Sequence, residues 1–428
     1  MPATPLTPDQ RFNFTQLYAD VFWYGVAAGS AIAFLVVYAA RLGASTLQMG
    51  LLTGGPAIIN LLMSLPAGRW LENRPLARTT FVTSLWHRAG YLVLVVLPWA
   101  VVGAQAQVWA VVALTLFMSI PGTLLAIAFN AMFADAVPPE WRAQVVGRRN
   151  ALLSLSVIGT SLVCGAVLDR VAFPFNYQMV FVLGVIGSAL SSVYLGRLRP
   201  SLTPPARVNQ LLDDLARPGL NRFGDAFRLG AGLRFLTRAR GQRLLRLDLL
   251  RGSFGRLLAA YYLFYMFQYL PIPLFPLFQV NELHLRDSAI SWGSALFYAL
   301  MLLCSLALAR VSQRWGHQRV LMYSAVLYSV YPLILSQAHA VGPFWVASAL
   351  GGAAWALTNG GLINRLMERV PEDDRPAHMA LHNLALNLGV LSGSLLGPLL
   401  GQRLDLRQAL LLSGLLRLLG GLLLGWWG

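Results

Sequence analysis

The sequence predicts an all-α integral membrane protein with twelve transmembrane helices in two six-helix bundles. Three observations carry that expectation: an apolar composition, recurring charge-free runs of spanning length, and a basic central segment that divides them six and six. Of the 428 residues, 57% are apolar and 12% charged, where a soluble domain carries roughly a quarter charged. Such a chain has too few polar side chains to wet its outside.

A bilayer core needs roughly 20 apolar residues of helix, because every backbone amide must be satisfied within the span. In order, single spans are expected at Val21 to Ala40, Leu47 to Gly68, Ala151 to Leu168, Val171 to Gly196, Leu257 to Asn281, Ser288 to Ala309, Pro376 to Gln402 and Gln408 to Gly428. Two longer runs each fold as a helical hairpin, Ala89 to Ala134 turning near Gly103 to Gln107 and Val320 to Asn364 turning near Gln337 to Pro343. The first run is too long for a signal-peptide core, so that span is expected to be retained.

The bundles are assigned to 1–196 and 257–428, with a basic linker at 197–256. All 33 basic residues are arginine. With the N-terminus in the cytoplasm, 26 fall on the cytoplasmic side and 5 outside, Arg88 and Arg417 lying within spans. Basic residues favour cytoplasmic loops, so both termini are expected there, in a multi-pass cell (plasma or inner) membrane protein. The linker carries 13 of the arginines against four aspartates. Its stretch Leu233 to Leu250 reads either as an ordinary linker or as a basic amphipathic helix lying on anionic lipid.

The net charge of +16 follows from this bias and does not call for nucleic acid. Cys164 and Cys304 lie in apolar runs without metal-ligand or disulfide spacing. The chain has no phosphate-binding Gly-Lys-Ser/Thr loop and no histidine pair in metalloprotease spacing. It is therefore read as neither an enzyme nor a nucleotide-driven pump, with no cofactor and no metal.

The halves echo each other. Asp135, Val137, Pro138, Arg142 and Asn150 recur as Glu368, Val370, Pro371, Arg375 and Asn383, each offset by 233 residues. The segment Gly68 to Arg78 (GRWLENRPLAR) is matched more loosely by Ala309 to Arg319 (ARVSQRWGHQR). These loops resemble the Gly-x-Leu-x-Asp-Arg-x-Gly-Arg-Arg element of major facilitator superfamily transporters, found between spans two and three and more weakly between spans eight and nine. Gly68 fits its first position, with Trp70 for its Leu, Glu72 for its Asp and Pro75 for its second Gly, while Arg78 falls one place late. In the second copy Arg314 and Gly316 fit, Gln313 replaces the acid and Arg319 is again one place late. Arg142, after Val-Pro-Pro-Glu-Trp, is similar to the family's element following span four.

The resemblance implies secondary transport by alternating access, with Gly68, Glu72, Arg78, Arg142, Arg314, Gly316 and Arg319 in gating loops. Glu72 would pair with Arg78 or Arg142 in one state and release it in the other, or form a plain surface pair. It also implies a midplane cavity lined by spans one, four, seven and ten. Candidates there are Asp20, Trp23 and Tyr24; Thr123 and Asn130; Tyr262, Tyr265, Gln268 and Tyr269; and Trp355, Thr358 and Asn359. The tyrosines equally suit membrane interfaces or helix packing.

Pro271, Pro273 and Pro276 must break or kink span seven. Gly389, Gly393, Gly397, Pro398 and Gly401 in span eleven suit close helix packing. They also resemble the signature that drug antiporters of the superfamily carry in span five.

Ionisable groups inside spans are costly. Asp20 and Arg88 are expected to pair, either to couple transport to protons or as a structural pair. Arg417 could snorkel, meet a lipid headgroup or pair across helices; His382, Asn383 and Asn387 could line the second bundle. The expected partners are a small-molecule substrate, membrane lipids and, through Asp20, protons. Export of an amphipathic compound is the leading expectation; the alternatives are a sugar-like uptake permease, a lipid flippase and a receptor without transport.

Overall fold

The structure is a computed structural model that describes residues 6–71, 74–199, 247–370 and 375–427, the side chains at 64–69, 139, 143, 247, 375–377 and 380 excepted. Among the described residues there are no strands, and twelve helices are long and apolar enough to cross a membrane. The first half comprises α1 (Pro8–Arg41), α2 (Thr46–Leu71), α3 (Leu76–Ala100), α4 (Ala104–Ala136), α5 (Pro139–Arg170) and α6 (Phe175–Gly196). The second comprises α7 (Ser253–Glu282), α8 (Asp287–Trp315), α9 (His317–Ser336), α10 (Val341–Arg369), α11 (Arg375–Arg403) and α12 (Leu406–Trp427).

The charge-free runs mark the apolar middle of each helix, and the helices continue through charged turns beyond them. The correction that matters most for a buried charge is α5. Expected from Ala151, it begins at Pro139, a residue suited to a helix start. Arg149, expected in a loop, therefore lies well inside the helix and is 5% exposed. α1 likewise begins at Pro8 behind a Thr7 capping box with Gln10. The first hairpin turns at Gly103, whose φ of +96° favours glycine.

α7 is interrupted between Tyr269 and Leu274, where Pro271 and Pro273 remove backbone donors. Pro276 does not break the chain, because it sits in the first turn of the segment that follows, where its missing N–H is no loss. α1 and α7 each carry a π turn, at Ala28–Ile32 and Phe278–Glu282. Most of the linker, including most of Leu233 to Leu250, lies outside the described residues; Leu247–Arg251 forms a short 3₁₀ turn leading into α7.

Three apolar cores hold the helices together. One, at the end of the bundle away from the chain termini, is shared by both halves: Phe34, Tyr38, Met49 and Phe181 pack in one cluster with Leu274, Leu277, Phe278 and Phe344. At the termini end the cores are separate. One is built wholly from the first half around Phe14, Leu17 and Phe133. The other is built around Phe254, Tyr261 and Phe264 of the second half, with Ala57 of α2 as its one buried member from the first.

The halves also cross where α5 meets α8 and α2 meets α11. A methyl at Gly165 would lie 2.6 Å from Ser291 Cβ and 3.0 Å from Ser288 Cα, so only hydrogen fits. A methyl at Gly50 would lie 2.8 Å from the Ser394 carbonyl and also strike the Pro398 ring.

Candidate functional site

In the first half, three helices deliver charge to one buried point. Asp20 of α1 is 3% exposed. Its carboxylate accepts from Arg149 of α5 at 3.2 Å and from the Ser191 hydroxyl of α6, and lies 4.0 Å from Arg88 of α3. Arg88, 8% exposed, donates to Ser192 Oγ at 2.7 Å and the Ser188 carbonyl at 3.2 Å. By helical rise Arg88 stands about 18 Å from the start of α3. Arg149 also lies over the rings of Phe129 and Phe133, at 4.9 and 5.7 Å.

Asp20 and Arg88 thus meet in one cluster, and Arg149 makes the shorter contact with the carboxylate. Two guanidiniums surround one carboxylate in a site closed to water, where breaking a pair costs far more than at a surface. Protonating Asp20 would remove a negative charge that balances both of them. Trp23 and Tyr24, on the following turn of α1, are half-buried. Asn130 of α4 and Asn359 of α10 are also half-buried.

In the second half the tyrosines of α7 turn largely toward α11. The Tyr265 hydroxyl meets His382 Nε2 at 3.0 Å, and the Tyr262 hydroxyl meets Ser392 at 3.2 Å. A methyl at Gly389 would lie 2.7 Å from Tyr265 Cβ, one at Gly393 would lie 3.0 Å from Tyr269 Cβ, and one at Gly397 would meet the Leu270 carbonyl. Gln268 is 2% exposed, and Trp355 packs on Tyr328 with ring centroids 5.4 Å apart.

Arg417 is fully buried, which excludes snorkelling or a lipid contact in this state. It donates to the carbonyls of Gln268 and Tyr328 and lies 4.4 Å from the Tyr328 ring. Among the described residues no carboxylate pairs with it.

At the end away from the termini, polar contacts bridge the halves beside the shared core. Arg41 of α1 donates to Asp287 of α8 at 3.1 Å and to the Leu285 carbonyl. The Tyr177 hydroxyl of α6 donates to the same carboxylate at 3.0 Å, and Ser288 donates to Asp169 of α5. Sequence reasoning missed these residues; an acid opening a span, with an arginine closing another, was the available signal.

Of the loop residues, Glu72 lies outside the described residues and Gly68 falls near the end of α2. Arg78, Arg314 and Arg319 are exposed. Arg142 bonds the carbonyls of Ala134 and Val137 at the end of α4. Gly316 joins α8 to α9 at a φ of +79°.

Two six-helix halves closed together at one end, with separate cores at the other, define a secondary transporter. The chain belongs to the major facilitator superfamily, whose sequence model, described as Major Facilitator Superfamily, matches residues 21–255 and 257–428. No curated protein matches it in sequence. Among solved structures it is similar to the nucleoside transporter NupG, at 14% identity and a TM-score of 0.67, covering 96% of this chain and 98% of that one. It is similar to the human organic anion transporter MFSD10 (TETRAN), at 16% identity and 0.63, covering 98% and 100%.

A third likeness is to a bacterial homologue of the iron transporter ferroportin. Its inward-facing form matches at 14% identity and 0.71, covering 97% and 98%; its outward-facing form matches at 14% and 0.59, covering 97% and 99%. At these identities the likeness is one of fold.

Proposed function

We propose that the protein exports a small amphipathic solute across the cell membrane by alternating access, in exchange for protons carried on Asp20. The observation that carries this reading is the burial of Asp20 between Arg88 and Arg149, with Ser191 as a further donor. A carboxylate held by two arginines within a membrane is costly to build and is the kind of group that transporters use as a proton relay. Protonation would release both guanidiniums at once, freeing α1, α3 and α5 to shift against one another. The excess of guanidinium over carboxylate favours a solute that carries an acidic group beside its apolar part.

The conformation described is read as inward-facing, with both termini in the cytoplasm. The shared core and the Arg41–Asp287 contact close the far end. The better match to the inward-facing than to the outward-facing form of one relative supports the same reading. The similar transporters are ones for nucleosides, organic anions and iron, and the assay spans those three classes.

The test is flux in proteoliposomes under an imposed pH gradient, with a nucleoside, several amphipathic organic anions and ferrous iron as solutes and an internal pH dye. Solute movement with matched proton movement, the latter lost in Asp20→Asn, is the expected result. Solute flux that ignores the gradient, or proton movement that survives Asp20→Asn, would overturn the coupling.

A further inference from the structure

Arg417 sits eleven residues into α12, about 16 Å by helical rise, and is wholly buried with no carboxylate partner among the described residues. An arginine at that depth is costly unless its donors are met. The two carbonyls it meets are ones that prolines have left without helical donors. In α9, the Tyr328 carbonyl would bond the N–H of residue 332, but that residue is Pro332 and has none. In α7, the Gln268 carbonyl would bond Ile272, but the Ile272 N–H turns instead to the Tyr269 carbonyl at the break before Pro273. Arg417 Nη1 donates to the first at 3.4 Å and Nη2 to the second.

The site is also electrostatically matched. The helical part of α7 that opens the second half ends at Tyr269, and the carbonyl end of a helix carries partial negative charge that favours a cation. Gly420 and Gly421 bring α12 close enough for the contact. A methyl at Gly420 would lie 3.3 Å from Phe264 Cα of α7, and one at Gly421 would lie 2.9 Å from the Val326 N of α9.

We propose that Arg417 is a positioning residue for transport, clamping α7 in its broken form through two proline-freed carbonyls. The segment of α7 beyond the break supplies Leu274, Leu277 and Phe278 to the core shared by the halves. Holding the break therefore holds the far end closed. When α7 rotates or straightens, the Gln268 contact is lost, so Arg417 weights the balance toward the state described. The inference rests on the alternating-access reading.

The test places spin labels at Val102 and His339, exposed residues at the far end of the first and second halves, after Cys164→Ser and Cys304→Ser. Distances are read by double electron–electron resonance in lipid nanodiscs. Gly165→Leu serves as a control that wedges α5 from α8 without touching Arg417. Arg417→Met is expected to raise the population of long distances about tenfold, as befits loss of a charged hydrogen bond. Arg417→Lys, which keeps a charge and shorter donors, should produce a smaller rise.

A wild-type distribution in whichever of these two variants folds, with the control shifted, overturns the clamp, even where the melting temperature falls. If the control also leaves the distribution unmoved, the alternating-access reading fails and the clamp fails with it.

Discussion

Arg149 and His382 stand 233 residues apart, the offset of the internal repeat, and each reaches from the fifth helix of its half to the first. Arg149 meets Asp20 at 3.2 Å, and His382 meets the Tyr265 hydroxyl at 3.0 Å. The repeat has kept the geometry while changing the chemistry, with formal charges in one half and a phenol in the other. At this pair of repeat-related positions, sensitivity to charge thus lies in the first half.

Arg149→Gln should be strongly destabilising, because removing one partner of a buried pair costs about 3–5 kcal/mol. The remaining Arg88 contact, at 4.0 Å, places the loss toward the lower figure. Adding Asp20→Asn should recover part of it. Melting curves of the two single variants and the double variant check this; an Arg149→Gln protein that melts like wild type would contradict the pair.

Tyr265→Phe removes the hydrogen bond to His382, worth about 1 kcal/mol. It should lower the melting temperature modestly and leave proton movement in proteoliposomes unchanged. Proton movement abolished by this substitution would shift the coupling site to the second half.

Asp287→Asn should loosen the far end. The Arg41–Asp287 pair is partly exposed, which limits its worth to about 1 kcal/mol, or about fivefold in a two-state balance. The maleimide reaction rate of a single cysteine placed at Leu285, in a background lacking Cys164 and Cys304, reads that change. No acceleration would mean that the apolar core alone keeps this end shut.

Two glycines make a contrasting pair. Gly393→Ala would press a methyl onto the backbone of α7 at Met266 and Leu270 and should cost about 1–3 kcal/mol by overpacking. Gly159 of α5 has nothing within 4 Å of its would-be methyl, so Gly159→Ala should raise stability by about 0.5–1 kcal/mol through helix propensity. Thermal unfolding of both variants in one detergent decides the pair, and equal effects would mean that the α7–α11 contact is looser than described.

The helices were legible because burial in lipid imposes a length and a polarity that a single sequence displays. The α7 break was legible for a similarly local reason, since proline removes a donor wherever it stands. Arg149 was not, because a charge near the end of an apolar run reads as loop until a partner 129 residues away is known. The place of His382 at the same repeat offset was the one sequence signal available. Arg417 was harder still. Its partners are backbone carbonyls, which no side-chain pattern announces, and only the prolines at the two breaks in hydrogen bonding are visible in the chain. The far-end contacts were hidden in the same way, as Arg41 and Asp287 are 246 residues apart.

The asymmetry of the apolar cores, one shared at the far end and two separate at the other, gives an exchange between two faces a temperature dependence. Splitting the shared core wets apolar surface whose burial weakens on cooling. The two smaller cores, once brought together, would bury a different area, so the exchange carries a net heat-capacity difference. Under alternating access the distribution between the two faces would then move with temperature, and a homologue working in the cold would need a more apolar seam, or stronger polar contacts beside it, to rest in the same state.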